Sequence, residues 1–323
     1  MPGEEPKSQH YVHRAYLEGF QDLELEKKGK SFVWVYMRGK SPFRQRPERV
    51  AKRNYYYCYE REEQRQFQVE CGLQKLEDLA LPILRQFRER RFALGAEDRL
   101  TFAGYIALSH TRVPTFEKSM DRLASLMAAK QLEFVANDKR ALEWATAKIR
   151  EDTGEDIDPQ EFHKKLTGGT VEVKQANREW SLGQMFQMML FLQQVIFDMK
   201  WAFLLAPEDD AGFLTSDNPV SLFDPVGGGP LGGIGFASSA AAHFTFPNSR
   251  GVCLLAQHQQ GPATAELNGS KVRSVNKGTI TRADSQLYAP FESASVQKIL
   301  DSVVSQRTAL GRVLFKKGRV IEK

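Results

Sequence analysis

Cysteine is scarce in this sequence, and its spacing argues against metal binding through thiols. Only three occur, Cys58, Cys71 and Cys253, and no two of them form a CxxC pair. An odd number of widely spaced thiols supplies neither an even disulfide framework nor a cysteine-based zinc site. The sequence therefore predicts free thiols in a reducing, cytoplasmic setting.

Long uninterrupted hydrophobic runs are also missing. The first eight residues carry no apolar stretch, so no secretory signal is expected. Only residues 182–205 approach the length of a membrane span. Polar side chains, which the centre of a bilayer penalises, interrupt this segment: Gln184, Gln187, Gln193, Gln194, Asp198 and Lys200. We expect a buried core helix here and no association with a membrane.

The chain lacks the short motifs that mark several large enzyme classes. It has no Gly-x-Ser-x-Gly nucleophile elbow, no Gly-x4-Gly-Lys-Ser/Thr phosphate loop and no HExxH zinc motif. These absences argue against a serine hydrolase of the common type, a P-loop nucleotidase and a zinc metalloprotease. Any chemistry must come from residues without such a signature.

Positive charge is present and is concentrated between residues 38 and 53. The net charge of the chain is +5 at pH 7. The basic side chains of this stretch, against the single acid Glu48, are Arg38, Lys40, Arg44, Arg46, Arg49, Lys52 and Arg53. Such a cluster can neutralise the phosphates of a nucleic acid, and it can equally form a solvated surface. We treat these seven residues as candidate nucleic-acid ligands.

The hydrophobic patterns predict an α+β protein that folds as one integrated domain over residues 1–323. We expect an N-terminal β-hairpin within 9–60, a helical middle over 66–200 and a mixed part over 201–323 whose short strands complete a sheet. Strand 31–37 is expected to pair with 54–59. The predicted helices are 66–92 with a kink or break at Pro82, 97–110, 115–135, 137–150, 158–168, 179–200, 271–287 and 293–309. The later predicted strands are 201–205, 212–216, 243–246 and 251–256, followed by a hairpin over 311–321.

Several motifs resemble those of one protein family along nearly the whole chain. Residues 9–17 (QHYVHRAYL) resemble the family's usual opening, QHYVPxxYL, with His13 in place of the usual proline. Residues 213–219 (FLTSDNP) resemble its FITSDNP segment, which is the most specific match. Further matches are residues 34–36, 54–56, Glu70 and Glu77, 110–114, 246–249 and Asn276. The chain thus resembles the domain of unknown function 4238 family, a group of mostly bacterial proteins. The resemblance implies no particular activity.

Ionisable residues inside these motifs are candidates for one polar site. Glu70 and Glu77 are seven positions apart, which places them on one helical face about 10 Å apart along the helix. At that separation they could not both bind one ion directly, but either could join His10 from the opening motif or Asp217 from the later one. One imidazole with carboxylates suits Mg²⁺ or Mn²⁺, and such an ion can activate water and stabilise phosphoryl transfer. His10, Glu70, Glu77 and Asp217 are therefore the candidate metal ligands.

Our leading hypothesis is a metal-dependent phosphodiesterase or nuclease. Its catalytic residues would be His10, Glu77, Arg112 and Asp217, meeting around a cleft lined by the basic cluster. A metal-free ribonuclease could instead use His10 or His110 with Arg112. The contrasting hypothesis is a non-catalytic module that binds nucleic acid or a protein. In that case Asp217 caps backbone groups, and Arg112 pairs with Glu77 or Asp217 as an internal tie.

Overall fold

The computed structural model describes residues 7–61, 64–172, 178–226, 235–303, 313–316 and 319–322. Its strands are β1 (Ser8–His10), β2 (Val33–Met37), β3 (Phe43–Gln45), β4 (Lys52–Asn54), β5 (Tyr59–Arg61), β6 (Gln64–Gln66), β7 (Thr170–Glu172), β8 (Lys200–Leu205), β9 (Thr215–Ser216), β10 (Ser221–Phe223), β11 (His243–Pro247), β12 (Val252–Gln257), β13 (Thr264–Glu266), β14 (Gln286–Ala289), β15 (Val313–Lys316) and β16 (Arg319–Glu322). Its α-helices are α1 (Arg14–Leu17), α2 (Leu23–Glu26), α3 (Gln68–Arg88), α4 (Ala96–Thr111), α5 (Pro114–Asn137), α6 (Lys139–Thr153), α7 (Pro159–Gly168), α8 (Arg178–Asp198), α9 (Gly269–Arg282) and α10 (Ala294–Ser302).

Long helices and several small sheets are mixed along the chain, which confirms the predicted α+β class. The chain divides into two compact units. The first unit comprises Met1–Phe116 with Leu182–Gln306, and the second comprises Glu117–Ser181 with Arg307–Lys323. The single integrated domain over 1–323 stays a prediction.

One sheet of the first unit joins the two ends of the sequence. Its strand order is β3-β2-β14-β9, so the N-terminal hairpin is completed by two strands from the later part of the chain, as predicted. The interior strand β2 reads VWVYM, and its first four side chains are all buried. Because β14 pairs with both β2 and β9, this sheet holds the segment around residue 217 against the N-terminal hairpin.

The predicted partner of β2 is wrong. β2 pairs with β3, whereas residues 52–54 pair with β1 and residues 59–61 pair with β6. Gly39 adopts a left-handed φ of 67° in the turn after β2, and this permits the short hairpin to β3. The aromatic run that suggested a strand instead begins with Tyr55 at a φ of 53° and forms a turn. A left-handed residue interrupts strand geometry whatever its β propensity.

Two helix predictions also need correction. The predicted helix 271–287 ends at Arg282, and residues 286–289 form β14, because Leu287 and Ala289 are buried in the sheet core. The helix over 66–92 is α3, which continues through Pro82, so the predicted break is wrong and the alternative of a kink stays a prediction. Apolar burial of Ala80, Ile83 and Leu84 around the proline holds the helix together there.

A second sheet of the first unit has the strand order β10-β11-β12-β8-β13. The strands predicted at 201–205, 243–246 and 251–256 are confirmed within it. Aromatic side chains pack against β11: the ring of Phe246 stacks on Tyr16 with centroids 5.1 Å apart and contacts Phe102 edge-on at 6.2 Å. This contact ties helix α1, which carries Tyr16, to the strands of the later part of the chain.

In the second unit, α7 begins as the sequence predicts. The Asp158 carboxylate accepts hydrogen bonds from the backbone N–H groups of Gln160 and Glu161, both at 2.9 Å. This capping satisfies two donors at the first turn, which is why an Asp-Pro pair marks a helix start. The unit also contains the sheet β16-β15-β7, so the predicted hairpin near the C-terminus is confirmed.

Helix α8 carries the longest apolar segment of the sequence. Leu182, Met185, Leu192 and Ile196 are buried in the structure, as expected for a core helix. None of the helices in the described part of the chain is both long and apolar enough to cross a membrane.

Candidate functional site

The opening motif places His10 beside the basic strand β4. Strand β1 pairs antiparallel with β4, in a register that sets Gln9 opposite Arg53 and His10 opposite Lys52. The buried Gln9 side chain fixes this arrangement, because its Oε1 accepts a hydrogen bond from the backbone N–H of Tyr57 at 2.7 Å. A buried amide that meets a main-chain donor resists displacement, so the position of the motif is well determined.

Arg112, which follows helix α4, donates hydrogen bonds to three acceptors inside the protein. Its Nε donates to the carbonyl of Tyr11 at 3.0 Å, and its Nη2 donates to the carbonyl of His10 at 2.7 Å. Its Nη1 donates to Oε1 of Glu77 at 2.5 Å, and only 3% of the Arg112 side chain is exposed. Of the two carboxylates considered as partners of Arg112, Glu77 is the one it pairs with.

The carboxylate of Glu77 also lies near the side chain of His13. Its Oε2 lies 3.9 Å from Nε2 of His13, whose Nδ1 is 3.1 Å from the hydroxyl of the buried Tyr105. Burial lowers the pKa of His13 to about 4, although the Glu77 charge opposes this change. His13 is therefore neutral near pH 7, and Glu77 keeps Arg112 as its charged partner.

Glu70 and His10 also have shifted proton affinities. Burial raises the pKa of Glu70 to about 7; the Arg112 charge opposes this shift, and the Glu77 charge adds to it. Burial, Arg112 and Lys52 together lower the pKa of His10. The Nε2 atom of His10 is buried and has no hydrogen-bond partner in the described part of the chain. Near neutral pH, Glu70 is therefore still protonated in part of the molecules, and the neutral imidazole of His10 can accept a proton. We call Arg112, Glu70, Glu77, His10 and His13 the Arg112 cluster.

Asp217 makes a separate set of contacts, although its charge lies near the opening motif, where burial first and then Asp217 raise the pKa of Tyr11. Its buried carboxylate accepts hydrogen bonds from the backbone N–H of Asp284 at 2.8 Å, of Ser285 at 2.7 Å and of Gln286 at 2.9 Å. The Ser285 hydroxyl donates a fourth bond at 2.7 Å. Burial raises the pKa of Asp217, and the donors from Ser285 and Asp284 oppose this effect. These bonds fix the turn between α9 and β14, so Asp217 caps backbone groups that are distant in sequence.

Neighbouring residues of the later motif act in the same way. Nδ2 of Asn218 donates to the carbonyl of Arg282 at 3.1 Å. Asn276 on α9 accepts from the backbone N–H of Leu214 at 3.1 Å and donates to the carbonyl of Gly212 at 3.0 Å. The FLTSDNP segment and the matching asparagine of the late helix are thus bound to each other.

The four predicted metal ligands do not fit an ion as a set in this arrangement. Both oxygens of Asp217 accept hydrogen bonds from the 284–286 segment, and Glu77 is paired with Arg112. His10 and Glu70 remain, which is one imidazole and one carboxylate. Across the described ranges no group of three or more His, Cys, Asp or Glu side chains is arranged to hold a metal ion. Dependence on Mg²⁺ or Mn²⁺ stays a prediction.

Two of the seven candidate nucleic-acid ligands are committed to the protein itself. Nη1 of Arg38 donates to the carbonyl of Asp284 at 2.5 Å. Arg44 pairs with the buried Asp22 at 2.7 Å, and its guanidinium lies 4.6 Å from the ring centroid of Trp34. Arg38 is thus held by a backbone carbonyl, and the charge of Arg44 is neutralised by Asp22. Lys40 is exposed in the turn between β2 and β3.

The remaining four cations, Arg46, Arg49, Lys52 and Arg53, are exposed and have no carboxylate partner within the described ranges. We call this stretch the basic segment 46–53. It contains the 3-10 helix Pro47–Arg49 and strand β4. Ala51, within it, has a left-handed φ of 51°, and its carbonyl accepts the backbone N–H of Tyr11 at 2.8 Å. A non-glycine residue in this region costs about 1–3 kcal/mol, so the surrounding contacts must hold the segment in place.

The structure defines an α+β protein in which a buried arginine cluster lies beside a basic strand. The chain belongs to the family described as "Protein of unknown function (DUF4238)", whose profile matches residues 8–292. The resemblance seen in the sequence motifs is thereby confirmed. No curated protein and no solved structure matches the chain.

Sequence reasoning missed one residue of the Arg112 cluster and a tyrosine beside it. His13 drew attention only as a departure from the family's usual proline, and Tyr57 was assigned to a strand. Tyr57 is buried, and its hydroxyl donates to the carbonyls of His10 at 3.2 Å and Arg112 at 3.4 Å. The backbone carbonyls that surround Arg112 leave no signal in a sequence.

Replacing Glu70 with glutamine should stabilise the protein at about pH 8 and change little at about pH 5. The pKa of Glu70 is about 7 in the folded protein, against an ordinary value of 4.5. The folded state therefore holds a proton that the unfolded state releases, and this stabilisation is complete below pH 4.5 and lost as the pH rises through 7. Glutamine mimics the protonated carboxyl. We expect a gain of about 1–2 kcal/mol at pH 8 after solvent screening, measured by urea unfolding.

Glu77→Gln is the matched control for this change, because it lies on the same helix and alters the same charge. Since Glu77 is the partner of a buried guanidinium, its replacement should destabilise the protein at both pH values. An equal effect of Glu70→Gln at pH 5 and pH 8 would contradict the assignment of a raised pKa to Glu70.

Proposed function

We propose that this protein binds nucleic acid through the basic segment 46–53. The observation that carries the proposal is the set of four exposed cations without carboxylate partners on one structurally fixed segment. Cations that are already neutralised by a carboxylate contribute little to the affinity for nucleic acid. Unpaired cations contribute more, because they release counterions from the phosphate backbone when they bind it. With all three cysteines free, we further propose that the protein works in the cytoplasm.

Aromatic rings support the position of one of these cations. The guanidinium of Arg53 lies 5.4 Å from the ring centroid of Tyr56 and 5.9 Å from that of Tyr11. Both rings are buried, so they form a wall that orients the guanidinium without removing it from solvent. Arg112 and Asp217, in contrast, are sealed by internal hydrogen bonds. This division of roles fits a binding module whose buried polar motifs are structural.

Replacing Arg49, Lys52 and Arg53 together with glutamine should weaken binding to nucleic acid about 100-fold at 0.1 M salt. Each lost phosphate contact should also reduce the slope of log K against log salt by about 0.7–0.9. Fluorescence anisotropy with labelled single-stranded and duplex RNA and DNA measures both quantities.

The matched control removes the same charge from exposed lysines of the second unit: Lys139, Lys164 and Lys165. This control should bind as the unchanged protein does. Equal weakening in both triple variants would show only a response to net charge, and an unchanged affinity in the first variant would refute the proposed surface.

A second candidate function is phosphodiester hydrolysis, and the Arg112 cluster is the observation that favours it. His10 is opposite the cation Lys52 and has an unpartnered Nε2, while Glu70 has a pKa of about 7. An imidazole base and a carboxyl acid beside a phosphate-binding cation are the groups that acid–base cleavage needs.

The same nucleic acids test this candidate when incubated with Mg²⁺, with Mn²⁺ or with EDTA. Cleavage that Glu70→Gln abolishes while affinity persists would support the enzyme. Cleavage in EDTA would favour the metal-free alternative, and cleavage that needs Mg²⁺ or Mn²⁺ would restore the metal-dependent one. Binding without turnover under every condition would leave the non-catalytic module.

A further inference from the structure

A cavity of about 530 Å³ lies where α8 ends and β8 begins. It is lined by Arg99, by residues 197–201 and by part of the loop 260–263. None of these residues belongs to the Arg112 cluster or to the basic segment 46–53. The volume falls within the range of roughly 300–1,000 Å³ that is usual for small-molecule sites.

Arg99 is held in a fixed orientation at this cavity. Its Nε and Nη2 donate to the carbonyl of Phe197 at 3.2 and 3.1 Å, and Nη2 also donates to the carbonyl of Met199 at 2.7 Å. Its guanidinium lies 4.1 Å from the ring centroid of Trp201. These contacts occupy Nε and Nη2, whereas Nη1 has no hydrogen bond within the described ranges. A donor that is already oriented loses little further freedom when a ligand arrives.

The charges around the cavity favour an anion. Lys200 is exposed and forms no ion pair in the part of the chain that the structure describes. The one acid of the lining, Asp198, accepts a hydrogen bond from Gln194 at 3.0 Å. The lining therefore carries two cations, Arg99 and Lys200, and one carboxylate, Asp198, which already accepts a hydrogen bond. Burial lowers the pKa of Arg99 and the Asp198 charge opposes this change; a bound anion would stabilise the charged guanidinium further.

We propose that this cavity binds a small organic anion, either a carboxylate or a phosphate monoester. Its charged group would meet Nη1 of Arg99 and the ammonium of Lys200. Its apolar part would lie against the wall formed by Phe197 and Trp201. The proposal is independent of nucleic-acid binding by the basic segment 46–53.

Phenyl phosphate and benzoate are suitable probes, with benzylamine as a cation of similar size. Saturation-transfer NMR at millimolar concentration, followed by titration, should show binding of at least one of the two anions and none of benzylamine. Lys200→Met should weaken that binding about tenfold through loss of one charged contact. Lys271→Met removes the same charge from an exposed position on α9 and should leave the affinity unchanged.

Ala263→Phe tests the space rather than the charge. Ala263 is exposed and lines the cavity, so a phenyl ring there should occupy the site while the protein stays folded. Loss of binding in Ala263→Phe with an unchanged thermal unfolding curve would complete the support. Failure of both anions to bind, equal binding of benzylamine, or unchanged affinity in Lys200→Met and Ala263→Phe would each overturn the proposal.

Discussion

Replacing Arg112 with methionine should lower the free energy of unfolding by about 3–5 kcal/mol. The change leaves the Glu77 carboxylate without its charged partner and leaves the carbonyls of His10 and Tyr11 without their donors. Burial acts to lower the pKa of Arg112, but Glu77 and the surrounding groups raise it by more than burial lowers it. The guanidinium therefore stays charged inside the protein. Methionine fills similar volume, so the loss reflects polar groups rather than a cavity. Urea unfolding at pH 7 measures it.

A double-mutant cycle with Glu77→Gln separates the ion pair from the rest of the arginine's contacts. The Glu77 side chain is 16% exposed, and water can therefore reach part of its charge when Arg112 is removed. We expect Arg112→Met and Glu77→Gln to be less destabilising together than the sum of the two single changes, by about 1–3 kcal/mol. Strict additivity would show that the short Nη1–Oε1 contact contributes nothing beyond its neighbours. Arg112→Lys should fall between methionine and the unchanged protein, because an ammonium cannot reproduce the forked geometry.

The sequence predicted the members of this cluster better than it predicted their role. His10 was singled out as a polar group between apolar residues, whereas Glu70, Glu77 and Arg112 were singled out because they match the family's motifs. The structure brings all four into electrostatic contact. Their purpose was harder to predict, because two of the three acceptors of Arg112 are main-chain carbonyls. Every residue has such a backbone carbonyl, whatever its side chain, so no residue type marks the site.

Strand pairing was predictable only where hydrophobic content and turn chemistry agree. The sheet strands β8, β11 and β12 were found because they are apolar and bounded by turn residues. The stretch after β4 was misassigned, because its three tyrosines have high strand propensity but Tyr55 adopts a left-handed φ. Long-range contacts, here Gln9 with the backbone of Tyr57, override such local preferences.

Replacing Asp217 with alanine should destabilise the protein by about 3 kcal/mol or more. The change leaves three part-buried backbone N–H groups and the Ser285 hydroxyl without their acceptor, and hydrogen bonds to a carboxylate are stronger than neutral ones. It also releases the turn that lets β14 enter the sheet between β2 and β9. Equilibrium unfolding in urea measures the loss, and near-ultraviolet circular dichroism reports whether the aromatic core around Tyr288 stays ordered.

Ser285→Ala is the matched control, since it removes one of the four donors and leaves the carboxylate with three. It should cost about 1 kcal/mol, and Asp217→Asn should fall between the two, because an amide places donors where acceptors are needed. Equal effects of Asp217→Ala and Ser285→Ala would contradict a capping role for the carboxylate. If the ranking holds, lost activity in an Asp217 variant cannot by itself identify a catalytic group, because the variant is also destabilised. Glu70, which is half-buried and whose protonated form glutamine imitates, is then the residue on which a catalytic hypothesis can be decided.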